Sequence, residues 1–185
     1  MHIKIATLLS FIFISNLMAQ QYETQRYDLL KTIDKAEIRY YPPVMKIKTA
    51  RSNGFSALFG YISGDNSTRQ KIAMTTPVYM GNDSTGKGVM EFVLPKAMHK
   101  DSTPSSLSDS VEVYESESGY FIAYPFGGYA IDWVVQRATN TLREIAHLNK
   151  IEIVDEPLLL VYNSPYKLIN RKNEVLFQID PKSLK

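Results

Sequence analysis

The sequence has 185 residues, 44% of them hydrophobic, enough for one well-packed domain. Basic and acidic residues nearly balance, 21 against 19, and no basic run with interleaved aromatics occurs, which excludes a general nucleic-acid binder. The chain has no cysteine, so thiol catalysis, Cys-ligated zinc, iron–sulfur clusters and covalent C-x-x-C-H cofactor attachment are excluded, and the core alone must stabilise the fold.

The chain opens on "MHIK", then the apolar stretch "IATLLSFIFISNL", then "LMA" before Gln20. A short basic start, an apolar stretch too short for a comfortable span and a small-residue cleavage site predict a secretory signal peptide over residues 1–19. Residues 20–185 are then a single exported domain, periplasmic or secreted, with no membrane span of its own. Without residues 1–19 there is one Lys fewer, 20 basic against 19 acidic residues.

Residues 22–31 are expected to add one strand. Ile38 and Tyr40 alternate, "YPP" turns the chain, and Met45 and Ile47 alternate again. In "SNGFSALFGYISGDN", Phe55, Leu58, Phe59 and Ile62 fall at i, i+3, i+4 and i+7, the stripe of a helix. Ser52 or Asn53 caps its start and Gly64 ends it. "KIAMTTPVYM", residues 71–80, alternates as a strand, with Met74 and Val78 turned to the interior. Pro77 is expected at a bulge or a sheet edge, because it lacks an N–H donor. "VMEFVL" follows the hairpin signal "GNDSTGKG".

Residues 96–110 are Ser-rich, polar and aperiodic, a loop. Strands over 111–115 and 120–126 flank the turn "SESG". A helix starts near Ile131, with Val134, Ala138, Leu142 and Ile145 on its apolar stripe. "LLLVY" and "EVLFQI" are the last strands. The order strand–strand–helix–strand–strand thus occurs twice, over about 36–95 and 111–180. The expected class is α+β: duplicated ββαββ halves forming a distorted antiparallel β-barrel with two helices.

No enzyme signature stands out. His99 lies in the polar loop and His147 on the polar side of the second helix, neither at metal-ligand spacing. G-x-S-x-G, G-x-G-x-x-G and Walker patterns are missing. Asp155 with Glu156, and Asp180 with Glu174, are expected as turn and surface carboxylates. What remains is an apolar and aromatic surplus. The first helix offers Phe55, Leu58, Phe59, Tyr61 and Ile62. The segment "YNSPYKLINRKN" holds Pro165, Tyr166, Leu168 and Ile169 beside Lys167, Arg171 and Lys172. Apolar walls with cations at the rim suit a flat, greasy ligand bearing carboxylates. Core aromatics and solvated cations would account for the same residues, and on the residues alone that is the stronger reading.

"KIAMTTPV", "EIRYYPP", "GFSALFGYISGDN", "YPFGGYA" and "NRKNEV" occur in an order that resembles the SOUL/haem-binding-protein family, over about residues 22–179. The family's usual form has Ala where Thr76 stands, and often Arg-Arg where Arg171–Lys172 stand. The resemblance implies two pseudo-symmetric halves in a distorted barrel. It also implies non-covalent binding of haem or another tetrapyrrole between the first helix and the loop before the last strand. By motif position it implicates Leu58, Phe59, Ile62, Tyr166, Lys167 and Arg171. With no His near the first helix, axial ligation by such a residue is not expected, and a Met or a Tyr, with Tyr61 and Tyr166 as candidates, is left as the axial ligand. The functional expectation is a non-catalytic tetrapyrrole carrier or buffer. The alternatives are a binding or sensor module for other amphipathic small molecules and, third, an envelope hydrolase.

Overall fold

The computed structural model describes residues 22–52 and 54–184. The leader expected over residues 1–19, and Asn53 as helix cap, lie outside them. Where one strand was expected over residues 22–31 there are two exposed ones, β1 (Glu23–Thr24) and β2 (Asp28–Ile33); the apolar pairs that follow become β3 (Ala36–Tyr41) and β4 (Met45–Ala50), then comes α1 (Gly54–Ser63). Then come β5 (Thr75–Thr76), β6 (Val78–Asn82), β7 (Gly88–Val93), β8 (Glu112–Glu115) and β9 (Gly119–Gly127). Helix α2 (Asp132–Leu148), β10 (Leu158–Val161), β11 (Lys172–Gln178) and a short 3-10 turn (Pro181–Ser183) complete the chain.

Nine strands form one antiparallel sheet in the order β2-β3-β9-β11-β10-β6-β7-β4-β8; β1 and β5 pair separately and in parallel. The fold is α+β, a curled, barrel-like sheet carrying two helices. Reading outward from the β10–β6 junction, β11, β9 and β3 on one side match β7, β4 and β8 on the other. The first strand of each half crosses over: β3 pairs with β9, and β8 pairs with β4. Pro42 and Pro43 between β3 and β4 suit such a crossover, since neither has an N–H to give to a hairpin ladder. The turn "SESG" likewise separates β8 from β9 without pairing them.

Each helix closes one core. Leu58, Tyr61 and Ile62 of α1 pack on Met45, Ile47, Met90 and Phe92. Ala138, Leu142 and Ala146 of α2 pack on Ile38, Ile122, Val175 and Phe177. Val135 and Ile145 extend that contact, so Val135 rather than Val134 leads the stripe. Gly64 ends α1 at φ +126°, a conformation an L side chain rarely adopts. The strand expected over residues 71–80 begins only at Thr75 and is divided by Pro77. Pro77 precedes the first residue of β6, a strand in the middle of the sheet rather than at an edge.

The opposite, concave face holds a third core: Tyr41, Tyr79, Val93, Ala123, Leu160 and Leu176. Here the sequence expectation fails for Glu174, which is 1% exposed and not a surface carboxylate. Arg39, also 1% exposed, grips it with a fork: Nη1 donates to Oε2 at 2.7 Å and Nη2 to Oε1 at 2.9 Å. The Tyr162 hydroxyl donates to Oε2 at 2.7 Å, and the Lys172 ammonium lies 3.2 Å from Oε1. Arg39 Nε also donates to Glu37, and Nη1 to the Tyr41 hydroxyl. Asp180, by contrast, sits where a turn was expected and accepts from Lys182 N–H at 2.9 Å.

Register makes Glu91 the counterpart of Glu174. Tyr79 pairs with Leu160 across the junction, Glu91 pairs with Tyr79, and Glu174 pairs with Leu160. Glu91 has its own cation, Lys46, at 3.0 Å, and Lys46 also lies over the Tyr79 ring at 3.7 Å.

Burial pushes the Tyr41 and Tyr61 hydroxyls up to about 12, and drives Tyr79, Tyr114 and Tyr162 upward as well, with nearby Glu91 and Glu174 adding to the rise. Folded-state values above the unfolded value of 10.0 mean that the native state holds protons the unfolded chain releases. The stabilisation is therefore complete below pH 10 and is lost as pH rises toward 12 and beyond. Urea midpoints are expected to stay flat from about pH 7 to 9 and to fall steeply above about pH 10. A midpoint unchanged at high pH would show that these hydroxyls ionise alike in both states.

Candidate functional site: a groove between the helices

Helix α1 lies on β4 and β7, and α2 on β9 and β11, so the two central strands β6 and β10 run between them. Two lines of paired residues cross the sheet there. One runs Ile47–Phe92–Val78–Val161–Asn173–Phe126, the other Thr49–Met90–Met80–Leu159–Val175–Tyr124. Paired residues share a face. Phe92 and Met90 belong to the α1 core and Val175 to the α2 core, so Val78, Met80, Leu159 and Val161 point to the helix side. All four are only partly buried. They form an apolar floor between two helical walls.

The α1 wall comes from the expected stripe, divided in two. Leu58, Tyr61 and Ile62 turn down into the core. Phe55 and Phe59, half exposed, stack on each other with ring centroids 5.6 Å apart at 19°. Phe55 also rests on Phe92 at 5.1 Å. Toward α2 the groove deepens into a cavity of about 380 Å³ lined by Arg51, Met80, Val135, Gln136, Leu159 and Val175. Arg51 Nη2 reaches the Met80 sulfur at 3.7 Å.

The segment following Val161 leaves at the floor's end, one strand from Val78 and two from Phe92 in the register. Its predicted site residues have different fates. Tyr166 and Lys167 are exposed. Arg171 is buried beneath the loop: Nη1 donates to the carbonyls of Ser164 and Lys167, both at 2.8 Å, and its guanidinium stacks over Tyr129 at 4.5 Å. Arg171 therefore shapes the loop rather than standing at a rim. Its buried Nε, and the Oδ1 of buried Asn173, bond nothing among the described residues. Sequence reasoning missed the floor of β6 and β10 and the groove-side cation Arg51. The partial burial that marks them depends on where the helices land, which no local pattern reports.

Tyr61 is held in the core, its hydroxyl donating to the Pro104 carbonyl at 2.6 Å. His99 and His147 are both exposed, and neither imidazole bonds a serine hydroxyl among the described residues. A second cleft, of about 430 Å³, opens where the β3–β4 crossover meets the segment after β7, between Pro43, Met45, Leu94, Met98, Arg26 and Glu115. None of the eight predicted site residues lines either cavity.

A family model described as "SOUL heme-binding protein" matches residues 22–178. Human heme-binding protein 2 is 30% identical over 156 residues, covering 75% of each chain, and the mouse protein of the same name is 28% identical over the same length. Among solved structures, a hydrolase from Listeria innocua superposes with TM-score 0.54 at 10% identity, over 79% of this chain and 92% of that one. The EcmrR C-terminal domain does so with TM-score 0.50 at 11% identity, over 83% and 98%. These two are alike in fold alone.

Proposed function

We propose a binding function from one premise: the chain belongs to the SOUL haem-binding-protein family. The ligand on this reading is haem or a related tetrapyrrole, held non-covalently in the groove between α1 and α2. The observation that carries it is the uncovered apolar floor of Val78, Met80, Leu159 and Val161 beside the stacked Phe55–Phe59 pair. Burying a flat apolar ring there releases about 25 cal/mol for each Å² of apolar surface removed from water.

The residues fit such a ligand chemically. Arg51, which lines the cavity beside Met80, offers a cation for a carboxylate, and Lys167 stands exposed on the loop that follows Val161. Bound haem supplies a redox-active iron. Tyr61 is not suited to hold it, because its hydroxyl is committed to Pro104 and burial raises its pKa to about 12. Met80, with its sulfur on the groove floor, is the better soft donor. A non-catalytic carrier or buffer role is favoured because a hydroxyl nucleophile needs a base bonded to it, and the exposed imidazoles of His99 and His147 bond no serine hydroxyl among the described residues. Export of that carrier rests on the leader-like residues 1–19.

The second reading, an amphipathic small molecule other than a tetrapyrrole, is favoured by the 430 Å³ cleft with its apolar base and mixed charges. Titration of the protein with haemin, followed by absorbance, separates the two. A saturable one-to-one Soret change is expected. A change that never saturates would overturn the tetrapyrrole reading.

A further inference from the structure

We propose that Met80 is a redox switch: a peroxide oxidises its thioether to the sulfoxide, and the groove then releases its tetrapyrrole. The inference rests on the binding function proposed above and adds a means of controlling it. Met80 stands in one of the floor lines between Met90 of β7 and Leu159 of β10, and it lines the cavity of about 380 Å³. Arg51 Nη2 meets its sulfur at 3.7 Å, in an exposed contact that peroxide can reach.

Arg51 is brought to Met80 across a strand. It follows the end of β4, where its N–H donates to the Gly88 carbonyl of β7 at 2.7 Å. A Cβ on Gly88 would stand 3.1 Å from Arg51 Cδ and 3.2 Å from Arg51 Cβ, so the bare glycine lets the Arg51 stem lie over β7. The guanidinium thereby reaches β6 and the Met80 sulfur. A thioether is a weak acceptor, whereas hydrogen bonds to a charged donor are strong ones for an oxygen. The N–H at the sulfur is therefore placed to hold a sulfoxide oxygen beside the floor.

The other described methionines lack this setting. Met45 and Met90 are 6% and 8% exposed, out of easy reach of peroxide. Met74 and Met98 are partly buried, and no N–H donates to their sulfurs among the described residues. At Met80 a sulfur lone pair attacks one oxygen of hydrogen peroxide. The S–O bond forms as the O–O bond breaks, and the departing hydroxide takes the proton from the new oxygen and leaves as water. Sulfur is oxidised to the sulfoxide and the peroxide is reduced. The side chain becomes polar and chiral. Its S–O dipole then lies under the flat apolar ring and must lose its water before the ring can seat.

The test treats the full chain with hydrogen peroxide before any haemin is added, removes the oxidant with catalase and locates sulfoxide by peptide mass spectrometry over time. Met80 is expected to be oxidised before Met45, Met74, Met90 and Met98. Haemin affinity of the treated protein should be weaker by about tenfold or more, with the urea midpoint unchanged. Methionine sulfoxide reductase should restore it. A Met80→Leu variant keeps the floor apolar, and its affinity should be the same before and after peroxide. An equal fall in that variant and in the intact chain would assign the effect to another residue and overturn the proposal. So would sulfoxide at Met80 with haemin affinity unchanged. Untreated protein that takes up no haemin would instead overturn the binding reading, and the switch with it.

Discussion

Replacing Arg39 with Leu is expected to destabilise the protein by about 3–5 kcal/mol at pH 7, the range for removing one partner of a buried ion pair. The size follows from what is left behind. Glu174 is 1% exposed and would keep only the Tyr162 hydroxyl and the Lys172 ammonium. In the intact protein burial alone would raise the Glu174 pKa, but the bonds and charge of Arg39, helped by Tyr162 and Lys172, outweigh it and hold the carboxyl below its ordinary value. A depressed folded pKa contributes stability above the unfolded value of 4.5, and that stability is lost as pH falls through the folded pKa. In the variant the balance inverts: burial dominates, the folded pKa rises, and protonation relieves the site. The gap between intact protein and variant should therefore narrow as pH drops below about 4.5. Replacing Glu174 with Gln in the same chain should recover much of the loss at pH 7, since a neutral amide needs no counter-charge. Urea unfolding of the three proteins at pH 7 and pH 4 checks both statements. Equal losses in the single and double variants would mean that packing, not charge, is what Arg39 supplies.

Replacing Leu159 with Asp should weaken haemin binding by at least about tenfold, or roughly 1.4 kcal/mol, while leaving most of the stability intact. Leu159 lies on the groove floor between Met80 and Val175, and it is only partly buried. A carboxylate there stays in water in the free protein but must be stripped of water beneath a flat apolar ligand, and that desolvation is costly. A Leu159→Met variant keeps the floor apolar and should bind like the intact protein. Unchanged affinity in Leu159→Asp, with the fold retained, would remove the groove from consideration.

Much of the architecture is legible in the sequence, for identifiable reasons. The spacing of Phe55, Leu58, Phe59 and Ile62 marks α1 because one helical face must be apolar, and Leu58 and Ile62 are indeed in the core. The alternation of Val175, Phe177 and Ile179 marks β11. That same alternation misleads at Glu174. Period two shows which residues share a face, and Glu174 does face away from Val175 and Phe177. It cannot show that the sheet curls until its second face is interior too, which buries Glu174, Arg39 and Tyr79. Strand partners are equally opaque: nothing local in "AEIRYY" or "EVYE" says that β3 joins β9 and β8 joins β4. For the candidate site, composition pointed to α1 and the 162–173 segment. The floor between the helices emerges only once both helices are placed, and Tyr166 of the loop turns out to face solvent.

The most direct measurement is a map of where a tetrapyrrole contacts the protein. Zinc protoporphyrin is diamagnetic, so methyl resonances can be followed by NMR as it is added. The largest shifts are expected at Val78, Met80, Leu159 and Val161, with smaller ones at Val135 across the cavity. Shifts concentrated instead at Met45, Leu94 and Met98 would put the ligand in the second cleft and contradict the assignment of the groove between α1 and α2 as the tetrapyrrole site.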